Sequence, residues 1–150
     1  AGFTPCHRPP PKMLPLDKTW PHDKAGEIAK PLVKATGVKP EDSEDLIMGC
    51  PYPEPEQGFT IARLVANHAD LPISVAGATI NRFCGSSMTA IHNAAGMIQM
   101  GAGEVFICAG VESMSRIPMG GFNPMPNPAI FQKYPQALSL IHISEPTRPY

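Results

Sequence analysis

Apolar residues in the centre of the chain recur at two different spacings. Side chains three or four residues apart predict three helices, over residues 23–36, 60–69 and 85–100. Short apolar runs between them predict three strands, over residues 45–50, 74–80 and 104–111. Because strands alternate with helices, the pattern predicts an α/β domain with a mainly parallel sheet. Gly37 follows the first helix and is suited to end it.

The helix predicted over residues 85–100 is apolar almost all the way round. Small or apolar side chains stand at Ala90, Ile91, Ala94, Ala95, Met97 and Ile98. Such a helix is usually buried, so we expect it to lie inside the molecule. Its first turn, Gly85-Ser86-Ser87, is small enough to let other backbone segments come close. Two interpretations stay open: a core helix without further role, or a central helix whose amino terminus opens into a functional site.

Composition limits the classes of function. The chain has 150 residues, enough for one domain with a core, and 43% of them are hydrophobic. A net charge of -1 without a basic stripe argues against a nucleic-acid or membrane-surface protein. No apolar run approaches the roughly 20 residues of a membrane span. The 19 prolines avoid the centre, where residues 61–114 contain only Pro72, so we expect loops to flank a folded centre.

The cysteines lie at positions 6, 50, 84 and 108, without the CxxC spacing of a zinc site. We therefore expect no metal, and so few cysteines favour a reducing compartment over a disulfide scaffold. Cys50 and Cys108 lie at or inside predicted strands, which indicates small buried hydrophobic residues. Cys6, in a proline-rich segment, is uninformative.

Cys84 lies where the second predicted strand ends and the apolar helix begins. The unpaired N–H groups and positive dipole end of a helix amino terminus favour a thiolate, the reactive form of cysteine. The same N–H groups can stabilise an oxyanion on a carbonyl under attack. Position alone leaves two alternatives open, a nucleophilic cysteine or an inert buried thiol.

Two long phrases occur in order along the chain. NRFCGSSMTAIHNAAGMIQMG, which contains Cys84, is followed by ICAGVESMSRIPM. Together with GVKPEDSEDLIMGC and EQGFTIARL upstream, they closely resemble the thiolase family over about residues 24–137. The chain departs from the family pattern at Ala109, which replaces a glycine, at Pro55 before Glu56, and at Thr60, where the family usually has asparagine.

The resemblance implies a partial amino-terminal thiolase domain, a mostly parallel mixed sheet with helices on both faces. Cys84 would be the acylated nucleophile, and its backbone N–H one oxyanion donor. The implied reaction cleaves a 3-ketoacyl-CoA into acetyl-CoA and a shortened acyl-CoA, as in fatty acid β-oxidation. Coenzyme A would be substrate and product, and no tightly bound cofactor is expected. In reverse, the same chemistry condenses two acetyl-CoA molecules, so a biosynthetic acetoacetyl-CoA thiolase stays open.

Two further alternatives are a decarboxylating ketoacyl synthase, against which VESMS argues, and a non-catalytic fragment or interaction module. The family's activating histidine, second cysteine and asparagine-rich loop belong to a carboxyl-terminal half that we expect to be missing here. No histidine of this chain matches them: His7, His22, His68, His92 and His142 are expected to be solvated or hydrogen-bonded. The chain by itself is therefore expected to be inactive. It is also expected to be poorly soluble, because it exposes sheet edges and apolar faces that the missing half should cover.

The resemblance also implies a homodimer or homotetramer for the parent enzyme. The composition suits a cytoplasmic protein; a mitochondrial or peroxisomal one is the alternative, because organellar thiolases share these motifs. The family's first strand precedes an Arg-Thr-Pro phrase, close to which this chain begins, so we expect that strand to be absent. Residues 1–137 are predicted to be the incomplete domain. Residues 138–150, which contain LSLIHISEPTR, look like translated sequencing-adapter DNA and are predicted to be non-native; a variable native tail is the alternative.

Overall fold

A computed structural model describes residues 19–125 and 127–135. Outside this part of the chain lie Cys6, His7, His142 and the tail predicted over residues 138–150. The chain's beginning, where we predicted that the family's first strand is absent, lies outside it as well. The helices and strands, in chain order, are α1 (Pro21–Thr36), β1 (Asp45–Gly49), α2 (Ile61–His68), β2 (Ala76–Ile80), α3 (Ser86–Gln99), β3 (Phe106–Gly110) and α4 (Pro128–Lys133).

The six predicted helices and strands are confirmed, with ends that differ by one or two residues. Gly37 ends α1 in the left-handed conformation, at φ 71°, which a residue without a Cβ adopts at little cost. The short helix α4 was not predicted; it begins at Pro128, and the side chain of Asn127 caps it by accepting a hydrogen bond from the Ala129 N–H at 3.0 Å.

The three strands form a parallel sheet in the order β2-β1-β3. The chain moves from β1 to β2 on one side, then returns past β1 to reach β3 on the other. Since parallel crossovers are right-handed, connections that run in opposite directions across a sheet place their helices on opposite faces. Accordingly, α2 packs with α1 on one face, and α3 packs on the other.

The core has two parts, divided by the sheet. Leu46 and Met48 of β1 point toward α1 and α2, into the larger cluster. Ile47, between them in sequence, points the other way and contacts Ala90 and Ala94 of α3. This alternation follows from the two-residue period of a strand, and it confirms that both faces of the sheet carry helices.

The prediction that α3 is buried was wrong for this chain. Ala90 and Ala94 are buried against the sheet, but Met88 and Ile91 are exposed over more than half of their surface. The physical reason is that one sheet face covers one side of a helix, and nothing in residues 19–125 or 127–135 covers the other side. None of the helices in that part of the chain is both long and apolar enough to cross a membrane.

Candidate active site

The carboxyl ends of all three strands lie at the same edge of the sheet. Gly49 at the end of β1 is in register with Ile80 of β2 and Gly110 of β3. Backbone bonds continue the pairing one residue further, from the Cys50 N–H to the Ile80 carbonyl and from the Val111 N–H to the Gly49 carbonyl. Because the chain leaves β1 and β2 toward opposite faces, a crevice is expected at this edge, where α/β proteins bind their ligands.

Cys84 lies at this edge, in a 3-10 turn (Phe83–Gly85) that joins β2 to α3. This is the position that the sequence predicted, and the side chain is exposed rather than buried in the core. It directly precedes the first turn of α3, a helix of 14 residues. The first N–H groups of a helix lack partners within the helix itself and are able to stabilise an oxyanion, so the position suits a site where a carbonyl is attacked.

The turn holds Phe83 in an unusual backbone conformation, with φ at 43°. The Phe83 N–H donates to the Asn81 side-chain oxygen at 2.9 Å. The Ser86 hydroxyl accepts a hydrogen bond from the Arg82 N–H at 2.8 Å and donates to the Phe83 carbonyl at 2.6 Å. Strained backbone of this kind persists only where its surroundings fix it, and it is concentrated at functional sites. Asn81 and Ser86 therefore fix the direction in which the chain presents Cys84.

Small residues bring the start of α3 onto the sheet. A side chain at Gly49 would collide with the backbone of Ser86 and Ser87, and one at Gly110 would collide with the Ser87 hydroxyl. The expectation that Ser86 and Ser87 allow a close approach is thus confirmed. The contact therefore determines how closely the start of α3, with the adjoining turn of Cys84, approaches the ends of the strands.

The other two described cysteines differ from Cys84. Cys50 is fully buried, and burial, followed by the nearby Glu112 carboxylate, raises the pKa of its thiol to about 12. Cys108 is half-buried, whereas a buried side chain was predicted, and burial raises the pKa of its thiol as well. Cys84 is the exposed thiol among the three.

A buried amide joins the loops that follow β1 and β3. Gln57 has no exposed surface. Its Nε2 donates to the Tyr52 carbonyl and to a Glu112 carboxylate oxygen, both at 2.8 Å, and its Oε1 accepts from the Ser113 N–H at 2.8 Å. Sequence reasoning missed both Gln57 and Glu112. The phrases EQGFT and VESMS contain them, but a spacing of 55 residues gives no local pattern.

An ion pair also connects the segments that follow β1 and β3. The Arg116 guanidinium binds the Glu56 carboxylate through two nitrogens, with Nη2 at 2.7 Å from Oε1, and lies 4.8 Å from the centre of the Trp20 ring. This pairing lowers the pKa of Glu56. It ties the start of α1 to the segments that follow β1 and β3.

The described histidines lie away from the turn that holds Cys84. His22 and His68, on α1 and α2, both contact the Asp23 carboxylate, and His92 is exposed on α3. His7 and His142 are outside the described part of the chain. No group of three or more His, Cys, Asp or Glu side chains in residues 19–125 and 127–135 could hold a metal ion.

These features define an α/β domain that presents a cysteine at the amino terminus of a helix. The family model of the thiolase N-terminal domain matches residues 12–137. The chain therefore belongs to the thiolase family, a family of acyltransferases, as its motifs predicted.

Similar proteins agree with this assignment. A 3-ketoacyl-CoA thiolase of Bacillus subtilis is 39% identical over 83% of this chain and 32% of its own length. One from Colwellia psychrerythraea is 50% identical over 59% of this chain and 23% of its own length. A crystal structure of the Bacillus anthracis acetyl-CoA acetyltransferase matches with a TM-score of 0.63 and 37% identity, over 67% of this chain and 25% of that one. The chain thus spans about a quarter to a third of these relatives.

Proposed function

We propose that this chain carries the nucleophile of a 3-ketoacyl-CoA thiolase, and that the nucleophile is Cys84. The observation that supports this most directly is the exposed sulfur in a strained turn at the start of α3. The names of the curated relatives point to the same reaction. The remaining catalytic groups would come from the rest of a full-length parent, so the complete enzyme, rather than this chain alone, would be active.

The reaction proceeds in two acyl transfers. The Cys84 thiolate attacks the 3-keto carbon, and the resulting oxyanion is stabilised by N–H groups that include that of Cys84. The bond between the second and third carbons then breaks, the departing carbon takes up a proton, and acetyl-CoA leaves. The shortened acyl group stays on the sulfur as a thioester. The thiol of a second coenzyme A attacks this thioester, which releases the shortened acyl-CoA and restores Cys84.

A second candidate is the reverse, biosynthetic reaction, in which two acetyl-CoA molecules condense. It is favoured by the likeness to a crystal structure named as an acetyl-CoA acetyltransferase. Initial rates with acetoacetyl-CoA and with longer 3-ketoacyl-CoA substrates separate the two: cleavage that is confined to acetoacetyl-CoA would support the biosynthetic role.

We further propose a cytoplasmic homodimer or homotetramer for the parent. The incomplete domain would extend over residues 1–137, and residues 138–150 would be non-native. Codons for residues 138–150 that are unrelated to adapter DNA would contradict the last point.

The nucleophile is tested by Cys84→Ser in the full-length parent. We expect kcat/KM to fall by roughly a thousandfold or more, because a hydroxyl at this site is a far weaker nucleophile than a thiolate. Intact-protein mass spectrometry after mixing with a 3-ketoacyl-CoA should detect an acyl adduct on the wild type and none on the variant. Cys108→Ser is the matched control and should keep both adduct and activity. A Cys84→Ser enzyme with the normal rate would refute the proposal.

A further inference from the structure

The residue before the nucleophile is supported from outside its own turn. The Tyr52 ring lies 5.9 Å from the Phe83 ring, centre to centre, at an angle of 52°. Phe83 is the residue at positive φ, and Cys84 follows it directly. Asn81 and Ser86 hold the turn by hydrogen bonds from within. Tyr52 lies in the loop after β1, so its ring contact joins that loop to the turn after β2 that holds Cys84.

Tyr52 is in turn held through its backbone. Its carbonyl accepts a hydrogen bond from the Gln57 amide at 2.8 Å, and its N–H donates to Oε2 of Glu112 at 3.2 Å. The other carboxylate oxygen of Glu112 accepts from the Gln57 amide and, at 3.0 Å, from the Ser113 N–H. Both backbone groups of Tyr52 are therefore fixed by two side chains from different loops.

Gln57 is the centre of this network. A fully buried amide is costly unless its donors and acceptor are all used, and here the two N–H donors and the oxygen each have a partner. A leucine of similar volume would fill the same space without that requirement. Hydrogen bonds depend on direction more strongly than apolar packing does. The network is therefore better suited than packing alone to fix the position of a loop.

We propose that Gln57 is a positioning residue for Cys84, acting with Glu112 through the Tyr52 ring on Phe83. This inference rests on the proposed function, in which Cys84 is the nucleophile, and extends it to the residues that aim the sulfur. Gln57 itself touches neither substrate nor reacting atoms. Loss of the network would leave Phe83 without its outer support, and the sulfur would sample orientations that are unproductive for attack.

The test compares Gln57→Leu with Val65→Ala in the full-length parent. Val65 is fully buried in α2, on the opposite side of the sheet from α3, and serves as a control for a general loss of stability. For Gln57→Leu we expect kcat to fall about tenfold to a hundredfold with little change in KM. The rate at which iodoacetamide alkylates Cys84, measured by peptide mass spectrometry, should fall in parallel. Val65→Ala should lower the thermal midpoint but leave both rates near those of the wild type.

A second pair of variants keeps the test decisive if Gln57→Leu misfolds. Tyr52→Ala keeps every backbone bond of the network but removes the ring, so it should reproduce the loss of both rates, and Tyr52→Phe, which keeps the ring, should restore them. The inference is overturned if Gln57→Leu and Tyr52→Ala stay within twofold of the wild type, or if Val65→Ala lowers the rates equally. Failure of the proposed function is distinguishable, because then the wild type forms no acyl adduct while alkylation of Cys84 can still be compared among the variants.

Discussion

Within the described residues, non-glycine residues have positive φ at three places, of which Phe83 adjoins the candidate site. Phe59 and Thr60, before α2, both have positive φ, at 50° and 54°. A β-branched residue in the left-handed region is a true outlier, because its Cβ substituents crowd the backbone. The family usually has asparagine at the position of Thr60, and asparagine tolerates this conformation. The departure noticed in the sequence therefore has a physical cost.

Thr60→Asn should consequently stabilise the chain. We expect the free energy of unfolding to rise by about 1 kcal/mol, through relief of strain and because asparagine is the better residue at a helix N-cap. Urea denaturation followed by circular dichroism measures the change. Thr36→Asn, at the end of α1 in helical conformation, is the control and should give no gain. Equal midpoints for Thr60→Asn and wild type would contradict the explanation.

The reaction rates of the three described cysteines should follow the exposure and the ease of ionisation of their thiols. At pH 8, iodoacetamide should modify Cys84 first, Cys108 more slowly and Cys50 hardly at all, because thiolate and access are both required. A thiol with a raised folded pKa ionises only as the pH rises toward that value, which for Cys50 is about 12, so its labelling should begin only at strongly alkaline pH or on unfolding. Peptide-resolved mass spectrometry gives the three rates. Cys50 labelling as fast as Cys84 in the folded chain would contradict this order.

Sequence reasoning predicted the location of Cys84 but not the distant residues around its turn. Its location needed only local information, the end of a strand followed by the small first turn of a helix. The link from Gln57 to Glu112 joins residues 55 positions apart, and it exists only because β1 and β3 are neighbours in the sheet. The contact between the Tyr52 and Phe83 rings likewise joins residues that are far apart in the sequence. Neither feature can be read from spacing alone.

At the scale of elements, the period of apolar residues was sufficient to predict three helices and three strands. It could not predict what covers them. The apolar pattern of α3 indicates which surfaces that helix is able to bury, whereas burial itself depends on a partner being present. That is why the prediction of a buried α3 failed while its bounds were nearly right.

The contact between α3 and the sheet yields a prediction at this scale. Gly49→Ala places a methyl group against the backbone of Ser86 and Ser87, which cannot move without shifting the start of α3. We expect a loss of about 1–3 kcal/mol in the free energy of unfolding, as for other overpacked sites. Gly96→Ala is the matched control: it lies in the same helix with open space around it, and should stabilise by roughly 0.5–1 kcal/mol. A Gly49→Ala chain as stable as wild type would disprove the close contact.

Across the whole molecule, the path of the chain explains why separate segments act at one edge. The two crossovers send α2 and α3 to opposite faces, so the loops after β1, β2 and β3 meet without a helix between them. The loop after β2 supplies Cys84, and the other two supply Gln57 and Glu112. The ion pair of Glu56 with Arg116 adds a second bond between those outer loops. One edge of a small sheet thus brings together Cys84 and the residues that we propose to position it.

The same architecture leaves an apolar surface on the outer side of α3, and this should govern the behaviour of the isolated chain. Met88, Ile91 and Ile98 are exposed over 58%, 57% and 48% of their surface. Contiguous apolar area of this kind promotes association in water. In a parent enzyme, further protein would cover this side of α3. We therefore expect the wild-type chain to aggregate when it is expressed without the rest of that parent.

Replacing the three apolar residues should therefore raise solubility. The triple variant Met88→Lys, Ile91→Glu, Ile98→Lys changes the net charge by +1 and removes the apolar surface, so we expect more protein in the soluble fraction and a monomer by size-exclusion chromatography with light scattering. Gln99→Lys, on the same helix at an exposed polar position, adds the same charge without removing apolar area and should change little. If Gln99→Lys improves solubility as much as the triple variant, charge rather than the α3 surface limits the wild type. A wild-type chain that is soluble and monomeric from the start would mean that this surface is covered within the 150 residues themselves.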